Sequence, residues 1–128
     1  MRRLVLDAHA FLAWFGPNAP GSRMRAEYEA GQLRVIVPAS FEVDVLEGAA
    51  RAGWSAQRLT GLAVELRQLK FEPLAPPSGE LATWLARGLT GRQAAYAALA
   101  SAHDLPLAAS DPALLEQAAS VARTLSQA

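Results

Sequence analysis

Short apolar runs, each too brief to be a helix, recur along the chain. They are Arg3-Leu-Val-Leu-Asp7, Arg34-Val-Ile-Val-Pro38, Phe71-Glu-Pro-Leu74 and Leu105-Pro-Leu-Ala-Ala109. Runs of this kind read as strands buried on both faces. The stretches between them carry apolar residues at helical spacing, over roughly 8–15, 21–31, 39–52, 55–69, 79–88 and 91–103, with 112–119 after the fourth run. Strands that alternate with helices predict an α/β fold with a parallel sheet covered by helices on both sides. Val121 to Leu125 can add a fifth strand at the edge, giving four to five strands in all.

Punctuation supports these boundaries. Gly16-Pro17 and Pro20-Gly21 stop the first helix, Gly53 ends the third, and Ser55 is placed to cap the fourth. Ser78, after Pro76-Pro77, is expected to cap the fifth. No repeat, low-complexity tract or long linker interrupts the pattern, so residues 1–128 read as one domain.

Composition narrows the chemistry. With 52% hydrophobic and 19% charged residues, the chain can fill a core. It has no cysteine, which excludes disulfides, thiolate zinc sites and cysteine nucleophiles and suits a reducing, cytoplasmic compartment. Catalysis must come from oxygen or nitrogen groups. Twelve basic and twelve acidic side chains cancel, so no global positive field attracts nucleic acid, and an RNA partner would have to be held locally. Arg2 and Arg3 precede an apolar stretch that meets Asp7 at once, and no apolar run approaches the roughly 20 residues of a membrane span. No membrane association is expected.

In parallel α/β sheets the functional crevice lies beyond the carboxyl ends of the strands, where the strand order changes direction. Asp7 follows the first strand and Asp111 follows the fourth. Asp7 is flanked by Leu-Val-Leu and Ala-His-Ala-Phe-Leu-Ala-Trp, and an acid in such apolar surroundings is costly without a partner or a metal. Asp111 in Ser-Asp-Pro-Ala also reads as an ordinary N-cap followed by proline. On the third helix Asp44 and Glu47 share a face with Ser40 and Arg51, whereas Glu42 projects about 200° away from Asp44. Glu47 is expected at the rim of a pocket, with a Glu47–Arg51 surface pair as its simpler reading. Clustered carboxylates repel one another unless a cation lies among them, and a hard oxygen set without cysteine suits magnesium or manganese. His9 lies two residues from Asp7 and reads as packing or a hydrogen bond before a direct role. His103 reads as a helix-end cation. Arg51, Arg87 and Arg92 read first as solvated side chains, with phosphate positioning as the alternative. Phe11, Trp14 and Phe15 are expected to face the core rather than a partner.

Leu-Asp-Ala-His-Ala-Phe-Leu-Ala-Trp at 6–14, Val-Pro-Ala-Ser-Phe-Glu-Val-Asp-Val-Leu-Glu at 37–47, and Gln-Ala-Ala-Tyr-Ala-Ala-Leu-Ala at 93–100 followed by Leu-Pro-Leu-Ala-Ala-Ser-Asp at 105–111 resemble the PIN domain, especially VapC-type toxins. The blocks stand in register along nearly the whole chain. The resemblance implies a PIN-like three-layer fold and a metal-dependent ribonuclease with RNA as substrate. It further implies Mg2+ or Mn2+ held by Asp7, Asp44 and Asp111, a homodimer, and a cognate antitoxin protein that blocks the pocket. The chain departs from the pattern: Asp44 stands where a glutamate is usual and Glu47 where an asparagine is frequent. Gln93 stands where an aspartate is expected, His9 where a small hydroxyl residue is usual, and Ala109 where a threonine is usual. Gln93 can offer an amide oxygen to a metal or its water but adds no negative charge. A catalytically degenerate PIN domain that binds RNA or a protein is therefore the second reading. A phosphate-accepting regulatory or nucleotide-binding domain is disfavoured, because the only lysine is Lys70, before the third strand, and Asp7-Ala-His-Ala is not a glycine-rich phosphate loop.

Overall fold

The computed structural model describes residues 1–15 and 18–128; Gly16-Pro17, expected to stop the first helix, lies outside them. In chain order the elements are β1 (Arg2–Leu6), α1 (Ala8–Leu12), α2 (Ser22–Glu29), β2 (Leu33–Pro38), α3 (Phe41–Arg51), α4 (Ala56–Gln68), β3 (Glu72–Leu74), α5 (Ser78–Ala86), α6 (Gly91–Ala102), β4 (Leu107–Ala108), α7 (Pro112–Gln117) and β5 (Ala122–Arg123). The five strands form one sheet in the order β3-β2-β1-β4-β5, and every pairing is parallel. The α/β class and the fifth strand follow the expectation from periodicity.

The centre of the sheet explains why those runs are so apolar. Leu4, Val5 and Leu6 are consecutive, so their side chains alternate between the two faces, yet each has no exposed surface. Both faces are therefore covered. Val35 and Ile36 on β2 and Leu107 and Ala108 on β4 are buried in the same way. Helix α6 packs against β1, β2 and β4, and it is lined by Ala94, Ala97, Ala98 and Ala100, all fully buried. Small side chains let this helix approach the sheet closely. Elsewhere the core is aromatic: Phe11 meets Trp14, Phe15, Phe41 and Phe71 at ring-centroid distances between 5.2 and 5.8 Å. Phe11 and Trp14 thus face the core as expected, and Phe15 is half-buried against it.

Local signals set most helix ends. Ser55 caps α4 by accepting from the Arg58 amide, and Gly53 takes φ of 89° just beyond α3, a left-handed turn open to glycine at little cost. The fifth helix corrects the expectation for Ser78. Pro77 occupies the cap position and Ser78 is already helical with no capping bond, because the extended backbone that a cap requires falls on the proline. Among the described residues, no helix is long and apolar enough to cross a membrane.

Candidate functional site

The strand order places the acids. The chain runs outward from β1 to β2 and β3, then returns to lay β4 on the other side of β1, so the direction of winding changes between β1 and β4. Asp7 leaves the end of β1 and Asp111 lies just past the end of β4, and the Asp7 amide itself donates to the Ala108 carbonyl at 3.0 Å. Asp44 lies on α3, which follows β2, the strand on the opposite side of β1.

Asp7 is 4% exposed, and its Oδ2 has no hydrogen-bond partner. Its carboxyl is pushed from the ordinary 3.8 up to about 6, by burial first and by the Asp111 charge as well, while His9, the Ala10 amide and Arg92 act in the opposite direction. This is the only partnerless buried carboxylate oxygen besides Glu72 Oε2 among the described residues. His9 is itself exposed and bears on Asp7 through its charge.

Asp44 is held differently. It is 8% exposed, and its Oδ2 accepts from the Tyr96 hydroxyl at 2.9 Å and the Ser40 hydroxyl at 3.0 Å. Burial and then the neighbouring Asp44 carboxylate push the Tyr96 hydroxyl strongly upward, so it stays protonated and donates. Asp7 acts on Tyr96 in the same direction, which makes this phenol the group common to both acids. The sequence alone gives Tyr96 no role, and only the crossing of α6 over β1 and β2 shows what its hydroxyl meets.

Asp111 caps α7 through Oδ1, which accepts from the Ala113 amide at 2.8 Å, so its capping reading holds. Its Oδ2 accepts from Gln93 Nε2 at 3.1 Å. Gln93 Oε1 accepts from the Thr90 amide at 3.0 Å, completing a capping box at the start of α6. The amide nitrogen, not the oxygen, faces the acids.

Glu47 is exposed and bound to Arg92 at 3.0 Å, with Arg51 farther off at 3.8 Å. It is Arg92 rather than Arg51 that ties Glu47 to the site, since the Arg92 charge also acts on Asp7 and Tyr96. Glu42 is exposed and lines a separate hollow with Val37, Phe41 and Leu66, away from Asp44 as expected. Arg87 stacks over Trp84 at 4.6 Å. A cavity of about 240 Å³ beside Phe11, Trp14 and Tyr28, and a wider trough beside Val43, Leu46 and Leu59, contain none of the three aspartates. Burial and charge mark the acidic site.

These residues fit a hard divalent cation in their chemistry. Asp7 offers a buried oxygen with no partner, and it feels the negative charge of Asp111. Among the described residues no three His, Asp or Glu side chains stand close enough together to form a ready cage. Carboxylates without a cation between them repel, and here Ser40, Tyr96 and Gln93 hold two of the three by hydrogen bonds.

No family model and no curated protein matches the chain. Its fold is similar to that of PAE2754 from Pyrobaculum aerophilum, known from a crystal structure, with a TM-score of 0.69 and 21% identity over 98% of this chain and 90% of that one.

Proposed function

We propose that the chain is a Mg2+- or Mn2+-dependent endoribonuclease whose metal is held by Asp7, Asp111 and Asp44, and that it is the toxin of a VapBC-type pair. One observation carries the metal site: Asp7 Oδ2 is buried, partnerless and under the influence of a second carboxylate. A lone buried anion is destabilising, and a bound cation removes that cost. When bound, the metal supplies charge neutralisation at the phosphate and activation of water. The protein's own groups do the rest. Tyr96 and Ser40 fix the Asp44 carboxylate, and Gln93 and the Ala113 amide fix Asp111. Arg92 is oriented by Glu47 and leaves a positive charge near Asp7, where it can hold a phosphate oxygen. RNA as substrate, a homodimer and an antitoxin partner come from the sequence resemblance, and a cytoplasmic location from the absence of cysteine.

A second reading, a PIN-like module that binds RNA or protein without cleaving, is favoured by one contact: a neutral amide donor already faces Asp111 where a fourth acid would add metal affinity. Cleavage of single-stranded and structured RNA in Mg2+ and in Mn2+ separates the two. Metal-dependent cleavage that Asp7→Asn abolishes is expected. RNA binding without cleavage in either metal would install the module reading instead.

A further inference from the structure

The side-chain amide of Gln93 has only one orientation open to it. A backbone N–H can only donate, so the atom 3.0 Å from the Thr90 amide must be the oxygen, and the nitrogen 3.1 Å from Asp111 Oδ2 must be the donor. The contacts form a relay. The Thr90 amide donates to Gln93, Gln93 donates to one oxygen of Asp111, and the Ala113 amide donates to the other at 2.8 Å. It links the capping box of α6 to the N-cap of α7, two elements on opposite sides of β4 in the chain.

We propose that Gln93 is a positioning residue that orients Asp111 in the absence of metal, its amide N–H standing where a cation or a further acid would otherwise act. Helix capping alone does not require this. A glutamate at the same place serves a capping box equally well, since only an acceptor is needed toward Thr90. The second arm of the side chain distinguishes the two residues. Glutamine presents a donor to Asp111, whereas glutamate would present a second anion. The link to catalysis rests on the nuclease reading; the positioning of Asp111 does not.

A polarity swap tests it in EDTA. Gln93→Glu keeps the α6 cap but sets two carboxylates face to face, so Tm should fall by about 3–6 °C and exchange at the Ala113 amide should quicken about fivefold or more. In an Asp111→Asn background the same change should raise Tm and slow that exchange. An asparagine still caps α7 with its oxygen, and its NH2 group then has an acceptor instead of an opposing donor. Equal effects of Gln93→Glu in both backgrounds, or no effect in either, would overturn the proposal, since both mean that Gln93 does not act through Asp111. Recovery in the double variant also excludes a simple failure to fold. Titration with Mg2+ or Mn2+ should raise Tm more in Gln93→Glu than in wild type, and an equal rise would count against the proposal. The coupling seen without RNA cleavage by any variant supports the positioning and removes the nuclease reading; cleavage by wild type without the coupling does the reverse.

Discussion

Asp7 shows how a single ionisable group ties stability to pH. Its folded value, about 6, lies above the ordinary 3.8. The unfolded chain therefore releases that proton first, and the contribution to stability is complete below about pH 4 and lost as pH rises through about 6. The difference corresponds to about 3 kcal/mol, and at 4% exposure little of it is screened by solvent. Metal-free protein should lose roughly this much stability between pH 4 and pH 7, and Asp7→Asn should flatten that part of the profile in urea melts; an unchanged profile would mean that Asp7 is not the group responsible. Tyr96→Phe probes the neighbouring acid. It removes a donor from a buried carboxylate, a bond worth about 1.5–3 kcal/mol, and should lower stability by that order while the core packing of the ring persists. Asp7 was legible in the sequence because its flanks are apolar on both sides. The Tyr96 hydroxyl and the direction of the Gln93 amide were not, since each depends on a partner from a different element.

Helix ends decide what two of the acids can do. Asp111 serves as N-cap of α7 and as a member of the acidic group at once, and the two roles separate by substitution. Asp111→Ala loses both and should cost about 1 kcal/mol from the cap alone. Asp111→Asn keeps a capping oxygen but loses the charge, so the Asp7 carboxyl should titrate lower, because the Asp111 charge is among the causes that raise it. Carbon-13 NMR of the Asp7 carboxyl reads that change directly, and a value that does not fall would show the two acids to be independent. At this scale the sequence was informative. The period of apolar residues located every helix to within a few residues, because each buries one face against the sheet or its neighbours. Strands β4 and β5 are paired over only two residues each, and the longer runs from which they were expected do not reveal where pairing begins. That limit is set by β1, whose register with β4 starts at Val5 and Leu107.

The whole molecule brings together groups that the chain keeps far apart. The charges of Asp7 and Asp111 interact only because β4 is laid against β1 after the chain has wound out to β3 and back, and this crossing is where open α/β sheets bind ligands. Alternating strands and helices made the parallel sheet legible, and an acid site at a switch point already required the first and fourth strands to be neighbours; the order of the remaining strands came from the structure. A site assembled by the completed fold binds its ligand in the folded state alone, so a ligand for it must raise stability by mass action, by about 2.7 kcal/mol when present at a hundredfold excess over its Kd. Mg2+ or Mn2+ at millimolar concentration should therefore raise Tm, and EDTA should reverse the rise. The pH dependence of that gain identifies the ligand group. Metal and proton compete for Asp7, whose carboxyl takes up a proton below about pH 6, so the metal-induced rise in Tm should be largest at neutral pH and should fade as pH drops through 6. Asp7→Asn should remove most of the rise at every pH. Calorimetry at pH 5 and pH 7.5, with and without metal, separates the outcomes. A rise in Tm of equal size at both pH values, or one that survives in Asp7→Asn, would mean that the cation binds elsewhere on the surface and that the buried carboxylate at the end of β1 is not its ligand.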